Sequence, residues 1–247
     1  MTNKTTLITG ATSGIGLSTV KLFLENGFIV LLSGRNDQVL AKVKQEINHP
    51  NIHTYQADIA SLESLNLMFE NIANDGHKIN CLVVNAAVAH PLPFEAVTES
   101  NFDVTMNVNF KGAFFTLQKS LPLLTKNATV VFVTSISNQM GSPNFSVYSG
   151  AKAALRSLVK TLGLELIEKG IRVNAVSPGP IETPMYSKFG LPDEILDGIQ
   201  KSIKEKSPIK RFGQPEEVAK AILFLSSEQS SYIVGDEIVV DGGMSLL

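Results

Sequence analysis

The chain is poor in cysteine, tryptophan and long apolar runs, and each shortage excludes something. One cysteine, Cys81, rules out an intrachain disulfide, which fits a reducing, cytoplasmic setting. No unbroken apolar run exceeds five residues (Phe28–Leu32 and Ala221–Leu225), whereas a membrane-spanning helix needs about 20. The amino terminus enters a patterned segment at once, so no signal peptide is expected. An excess of one charge is also missing. The 21 Lys+Arg stand against 23 Asp+Glu, a formal net charge of −2, with a pI near 6.1. Nucleic-acid binding calls for clustered cations, so this balance argues against such a partner. Together with 44% hydrophobic residues it also argues against a disordered chain. The four histidines (His49, His53, His77, His90) are scattered without metal-ligand spacing, so no metal site is expected.

What is present is alternation. Short runs rich in Val, Ile, Leu and Thr predict strands near Thr5–Thr9, Phe28–Ser33, Ile52–Gln56, Cys81–Asn85, Thr129–Ser135, Arg172–Ser177 and Ile238–Asp241. Several are almost wholly apolar, as in strands covered on both faces of a parallel sheet. Helical spacing fills the intervals: Gly16–Glu25, Val39–Ile47, Leu62–Asn74, Phe102–Thr125, Ser149–Ile167 and Pro215–Leu225. Pro215 followed by Glu216 and Glu217 marks a helix start, because proline fits the first turn and acids suit its positive end. Strand–helix alternation throughout predicts an α/β fold, a doubly wound parallel sheet in one domain spanning 1–247. The least patterned stretch, Pro178–Ile209, is where an active-site lid is expected.

The first strand runs into Thr9-Gly10-Ala11-Thr12-Ser13-Gly14-Ile15-Gly16, and a helix follows directly. Glycines there permit a sharp turn and let a pyrophosphate approach main-chain N–H groups at a helix start. A glycine-rich turn without ligand is the plainer alternative, but strand, glycines, helix and second strand in succession match the dinucleotide-binding context. The end of the second strand then bears on which nucleotide. NAD-binding folds place an acid there for the ribose 2′-hydroxyl, and NADP-binding folds use a nearby arginine for the 2′-phosphate. Here the residues are Ser33-Gly34-Arg35-Asn36. Arg35 is thus a candidate phosphate clamp, with Ser33 and Asn36 as hydrogen-bond partners. NADP(H) is favoured, and NAD(H) stays open, because Ser13 supplies no second cation.

Tyr148 and Lys152 are four apart at the start of a predicted helix, hence on one face. A free phenol has a pKa near 10, and an adjacent ammonium is expected to lower it enough for acid/base work. Ser135 closes an apolar strand thirteen residues upstream, at the sheet edge where ligands of open α/β sheets bind.

Taken together, Thr9-Gly10-x-x-x-Gly14-x-Gly16, Asn85-Ala86, Ser135, Tyr148-x-x-x-Lys152, Pro178-Gly179 and Asp241-Gly242-Gly243 resemble the short-chain dehydrogenase/reductase family in its single-domain branch, across essentially the whole chain. The resemblance implies a seven-stranded Rossmann-type sheet with helices on both faces. It makes Tyr148 the general acid or base, Ser135 the group that holds the carbonyl oxygen, and Lys152 the ribose-binding cation beside Tyr148. Asn109 would anchor a water in a proton relay, and Asp58, with Ile59 next to it, would meet the adenine. Asn85 and Ala86 would line the adenine-ribose side. Ile181 and Thr183, beyond Pro178-Gly179, would contact the carboxamide. Thr12, Ser13 and Ile15 complete the phosphate turn. One departure stands out: Ala87 occupies a position that is usually glycine in this family.

The family implies interconversion of a carbonyl and a secondary alcohol on a small-molecule substrate. Reduction of 3-oxoacyl carrier-protein thioesters and dehydrogenation of a sugar or polyol remain as alternatives. Carrier docking would need cations, for which Lys126, Lys169 and the cluster Lys201, Lys204, Lys206, Lys210, Arg211 are candidates; a solvated helix face is the other reading of that cluster. The family also implies a homotetramer. Ala113, Phe114, Leu117, Ala153, Leu155 and Leu158 would either supply contacts between copies or pack the core.

Overall fold

A computed structural model describes residues 4–190 and 192–247. Seven strands form one parallel sheet: β1 (Thr5–Thr9), β2 (Ile29–Gly34), β3 (Ile52–Gln56), β4 (Ile79–Val84), β5 (Leu124–Val133), β6 (Arg172–Pro178) and β7 (Glu237–Val240). Their order is β3-β2-β1-β4-β5-β6-β7. The winding therefore reverses between β1 and β4, which leaves a crevice at the carboxyl ends of those two strands.

Side-chain alternation along the strands feeds two cores. Leu7, Leu31, Val130 and Phe132 point to one face, where they meet α3 (Leu62–Asn74), α5 (Ala113–Ser120) and α6 (Ser146–Ile167). Ile8, Val30, Leu32, Val131 and Val133 point to the other, against α1 (Gly14–Glu25), α2 (Asp37–Ile47) and α8 (Pro215–Leu225). A strand with apolar residues on both faces needs a helix layer on each side, and this fold supplies both.

Two expectations are corrected. The single helix expected over Phe102–Thr125 is broken: α4 (Glu99–Met106) passes through a π-helical turn (Asn107–Gly112) into α5, and Leu121–Leu123 form a short 3₁₀ turn. Pro122 has no N–H to continue the α-helix, so Thr125 already belongs to β5. The expected lid stretch contains a further helix, α7 (Asp193–Lys206). Of the residues read as either interface or core, Ala113, Leu117 and Leu155 pack the chain's own core. Among the described residues, no helix is long and apolar enough to cross a membrane.

The segment between β6 and α8 leaves and returns at one point. Gly213 N–H donates to Pro180 O and Glu182 N–H to Gly213 O, at 3.0 and 2.9 Å. The segment from α8 to β7 is held by Asn174, whose amide donates to Ile233 O and accepts from Asp236 N–H (2.9 and 3.0 Å), and chiefly by Arg172. Arg172 Nη1 donates to Ser230 O (2.9 Å) and Ile233 O (3.4 Å), and Nη2 to Ser227 O (2.9 Å) and Leu225 O (3.3 Å). The last of these is a helix-terminal carbonyl, where a cation also complements the helix dipole. Arg172→Met keeps much of the stem but strands these acceptors. The expected loss is about 2–3 kcal/mol, a drop of roughly 5–10 °C in Tm for a chain of this size. An unchanged calorimetric Tm contradicts this account.

Candidate active site

The turn after β1 is shaped by what it must touch. Gly10 and Gly14 have φ of +62° and +54°, a left-handed region costly for other residues. A side chain on Gly10 would begin 2.6 Å from Ala86 Cα, and one on Gly16 2.4 Å from Gly10 O. The turn is thus laid directly on the residues following β4. Polar ties fasten it there. Asn85 and Ala86 donate their N–H groups to Thr9 Oγ1 (3.0 and 3.2 Å), and Asn85 Nδ2 donates to Thr9 O and Gly10 O (both 3.0 Å). Asn85 thus braces the glycine turn through its Nδ2 while lining the cavity beside it.

A cavity of about 470 Å³ opens along this turn and extends to Tyr148. Every residue assigned above to nucleotide contact except Asn36 lines it, from Gly10 to Thr183, as do Ser135, Tyr148 and Lys152. At one end, α1 begins with no acid in its first turn and no side-chain cap from Ser13. Its positive end thus faces the cavity unneutralised, and the missing Cβ atoms leave room for a pyrophosphate. The residues present fit a dinucleotide.

At the end of β2, Ser33 Oγ is buried without a hydrogen-bond partner. Arg35 is exposed, and among the described residues it forms no ion pair. Asn36, expected beside it, instead caps α2: its Oδ1 accepts from Val39 N–H at 3.1 Å, and it does not line the cavity. The turn carrying Asp58 is held by Ser64 Oγ, which accepts from Asp58 N–H, and by Asp58 Oδ1, which accepts from Ala60 N–H, both at 3.0 Å.

The other end gathers the reactive side chains. Lys152, one turn along α6 from Tyr148, is 2% exposed. Its Nζ donates to Val133 O at 2.8 Å and lies 5.6 Å from the Tyr148 ring centroid. Burial pushes its pKa down to about 8. For Tyr148 the expectation of a lowered pKa is corrected. Burial raises it above the ordinary phenol value, and the neighbouring Ser135 hydroxyl draws it only part of the way back. Desolvation dominates, and the Lys152 ammonium aims its N–H at the Val133 carbonyl rather than at the phenol oxygen. Ser135 Oγ in turn accepts from Ser137 Oγ at 3.0 Å and from Ser137 N–H at 3.3 Å.

Asn109 does not line the cavity. It lies in the π-helical turn, 1% exposed, with Nδ2 donating to Val88 O (2.8 Å) and Oδ1 accepting from Val88 N–H (2.9 Å). Both ends of its amide are thus spent on pinning a cavity-wall residue, and a water-anchoring role does not fall to its side chain.

Several wall residues were not assigned to nucleotide contact: Ala87, Val88, Ala89, His90, Pro184, Met185 and Tyr186 all face the cavity. An edge-to-face aromatic chain runs Tyr148–Phe145–Phe189–Tyr186–Phe212, with centroids 5.4–6.0 Å apart, and the concentration of aromatics after Pro184 was the available hint. The expected basic rim is largely committed. Arg211 grips Glu217 through two bonds of 2.7 and 2.8 Å, Lys210 Nζ donates to Glu205 O, and Lys204 lies over Phe212. Lys126 enters β5 near its amino end, and Lys169 lies near it, just past α6; both are on the sheet edge opposite the cavity. Among the described residues no cluster of three metal-ligating side chains occurs.

The family profile described as enoyl-(acyl carrier protein) reductase matches residues 10–245. The 3-oxoacyl-(acyl-carrier-protein) reductase FabG of Thermotoga maritima is 36% identical, over 98% of this chain and 97% of that one. The glucose 1-dehydrogenase of Gluconobacter oxydans is 35% identical, over 98% and 92%. The crystal structure of a 3-ketoacyl-(acyl-carrier-protein) reductase from Brucella melitensis, complexed with NADH, superposes with a TM-score of 0.89 at 30% identity, covering 98% of each chain. The chain belongs to the short-chain dehydrogenase/reductase family, and it is an NAD(P)-dependent oxidoreductase acting on CH–OH groups.

The buried ammonium has a measurable consequence. Its folded pKa of about 8 lies below the ordinary lysine value of 10.5. The unfolded chain therefore binds more protons between those values, and folding stability from this group rises with pH across the window. At pH 7 the full penalty applies. Lys152→Met is expected to raise the stability of the nucleotide-free protein at pH 7 by about 1–3 kcal/mol, offset in part by the orphaned Val133 carbonyl. The gain should shrink as pH rises from 8 to 10.5. Thermal denaturation at pH 7 and pH 10 checks it; a variant less stable than wild type at pH 7 rejects it.

Proposed function

We propose that the protein is an NADP(H)-dependent carbonyl reductase and alcohol dehydrogenase with Tyr148 as its general acid/base. The observation that carries this is the convergence of Ser135, Tyr148 and Lys152 on one cavity whose far end is the glycine cradle. Bound nicotinamide supplies the hydride chemistry. The chain supplies proton handling and position. A phenol whose pKa is held high by burial stays protonated near neutral pH, the state needed to donate to a carbonyl oxygen. Ser135 lines the same cavity as the phenol and would share that oxygen. Lys152, with a pKa of about 8, is largely cationic at pH 7. It would hold the nicotinamide ribose and favour the phenolate left after proton transfer. The looped segment Pro180–Gly213 would act as the lid that keeps water out.

Arg35 and the partnerless Ser33 hydroxyl favour the 2′-phosphate over a free 2′-hydroxyl, since no carboxylate closes β2. The mostly apolar wall of Val88, Ala89, Pro184 and Met185 favours a small neutral carbonyl compound. The positions of Lys126 and Lys169 weigh against a carrier protein delivering it. A polyol is the second reading, favoured by His90 in the cavity wall.

Tyr148→Phe is expected to lower kcat by about 10²–10⁴-fold while NADPH affinity stays within about twofold of wild type; turnover at the wild-type rate would sink the mechanism. Arg35→Ala should weaken NADPH by about 10–100-fold, as loss of charge-assisted hydrogen bonds would, and leave NADH unaffected. Equal losses for both nucleotides in a fluorescence titration defeat the assignment.

A further inference from the structure

One buried acid is not used by the chemistry above. Glu237 opens β7, a strand otherwise made of Ile238, Val239 and Val240, and its side chain is 7% exposed. A carboxylate so placed must find donors or a cation. It finds both, and all belong to elements bearing the reactive groups. Oε1 accepts from Thr134 Oγ1 at 2.5 Å and from Asn138 Nδ2 at 2.7 Å. Those two residues bracket Ser135 in the chain. Oε2 lies 3.0 Å from Arg156 Nε, an ion pair without the alignment of a hydrogen bond. Arg156 is one turn beyond Lys152 on α6, so Tyr148, Lys152 and Arg156 follow one another at i, i+4 and i+8 on one stripe.

We propose that Glu237 is a positioning residue, a clamp that fixes the Ser135 turn relative to the helix carrying Tyr148 and Lys152. Ser135 and Tyr148 face one cavity from two separate elements, and local backbone geometry sets only one side of their approach. The turn over Ile136–Asn138 is a single 3₁₀ turn held by few main-chain bonds, Asn138 N–H to Ser135 O and Gln139 N–H to Ile136 O. Lys152 ties α6 to Val133 O before the turn, and Ser137 holds the Ser135 hydroxyl from within it, but among the described residues no hydrogen bond or ion pair links Ile136–Asn138 directly to α6. Glu237 supplies that link from a third element, with one oxygen for the turn and one for the helix. This inference rests on the assignment of Ser135 and Tyr148 as the carbonyl-binding and proton-donating groups.

The test compares wild type with Glu237→Gln and with the double variant Glu237→Leu/Arg156→Met, all as full-length protein. The glutamine removes the charge and presents an amide NH₂ to donors. The double variant replaces the ion pair with an apolar one that can pack well. In Glu237→Gln, kcat is expected to fall about 5–50-fold, the scale of losses from sub-ångström misplacement, with NADPH dissociation constant and KM within about twofold. The double variant should regain thermal stability without regaining kcat. Recovery of kcat along with stability, or wild-type kcat in Glu237→Gln, overturns the proposal, because a merely structural staple behaves that way. A second readout needs no turnover. Amide hydrogen exchange at Asn138 and Gln139 in the NADPH complex should be about tenfold faster in both variants than in wild type, since their protection depends on the clamped turn; unchanged protection overturns the clamp. Wild-type protein inactive on every carbonyl tried counts against the proposed function instead, and the exchange measurement still decides the clamp.

Discussion

The arrangement depends on a contact in which side chains are absent: the glycine turn after β1 pressed against the residues that leave β4. The approach is closer than any Cβ permits. It occurs where the strand order reverses, so no neighbouring strand continues the sheet's edge above it. Thr9 and Asn85 close the gap with four hydrogen bonds, and their geometry aims the start of α1 into the crevice. Once that turn is fixed, the rest of the cavity follows from strand order. β2 delivers Arg35 to one side, β5 and α6 deliver Ser135, Tyr148 and Lys152 to the other, and the return of the chain at Gly213 roofs the space between.

Stability and chemistry pull in opposite directions at the far end. Burying an ammonium with a single carbonyl partner costs free energy, and the cost is registered in its lowered pKa. A methionine would pack there more comfortably. Burial of Tyr148 works in the same sense, because it keeps the proton on the phenol. These two groups contribute little to holding the fold. They are held by it, through the core beneath α6 and through the clamp from β7. Such local conflict is the physical signature of a functional site, since a residue selected for stability alone would not be charged there.

Much of this was legible from sequence because it depends on patterns with one physical meaning. Apolar runs on both faces of a strand demand a two-layered sheet, and glycines between a strand and a helix demand close approach, so β1–α1 and the strand set were readable within a residue or two at most ends. The failures have a common cause. Pro122 breaking the long helix, α7 inside the segment beyond Pro178, and the roles of Asn36 and Asn109 all turn on which partner a backbone or amide group finds across space. Asn36 could cap or bind phosphate, and its sequence neighbours favour neither. Asn109 could hold a water or a loop, and only the proximity of Val88, twenty-one residues earlier, decides. Burial likewise inverted the expected shift of Tyr148, since desolvation is a property of the packed state and spacing alone cannot report it.

Glu237 shows how far that gap extends. An acid at the head of a short apolar strand looks like a solvated edge residue, and nothing near it in the chain is cationic. Its partners lie 81 and roughly 100 residues away, on elements joined to β7 only by the sheet and by α6. Lys152 ties α6 to Val133 O and Thr134 ties the end of β5 to Val176 O, but neither bond reaches Asn138, at the far side of the turn. β7 pairs with β6 through main-chain bonds, which fix strand positions but not the orientation of a turn two strands away. A charged group with two oxygens can act on two elements at once, and a hydrophobic residue of the same size cannot. That is a physical reason for a carboxylate to persist in an otherwise apolar strand.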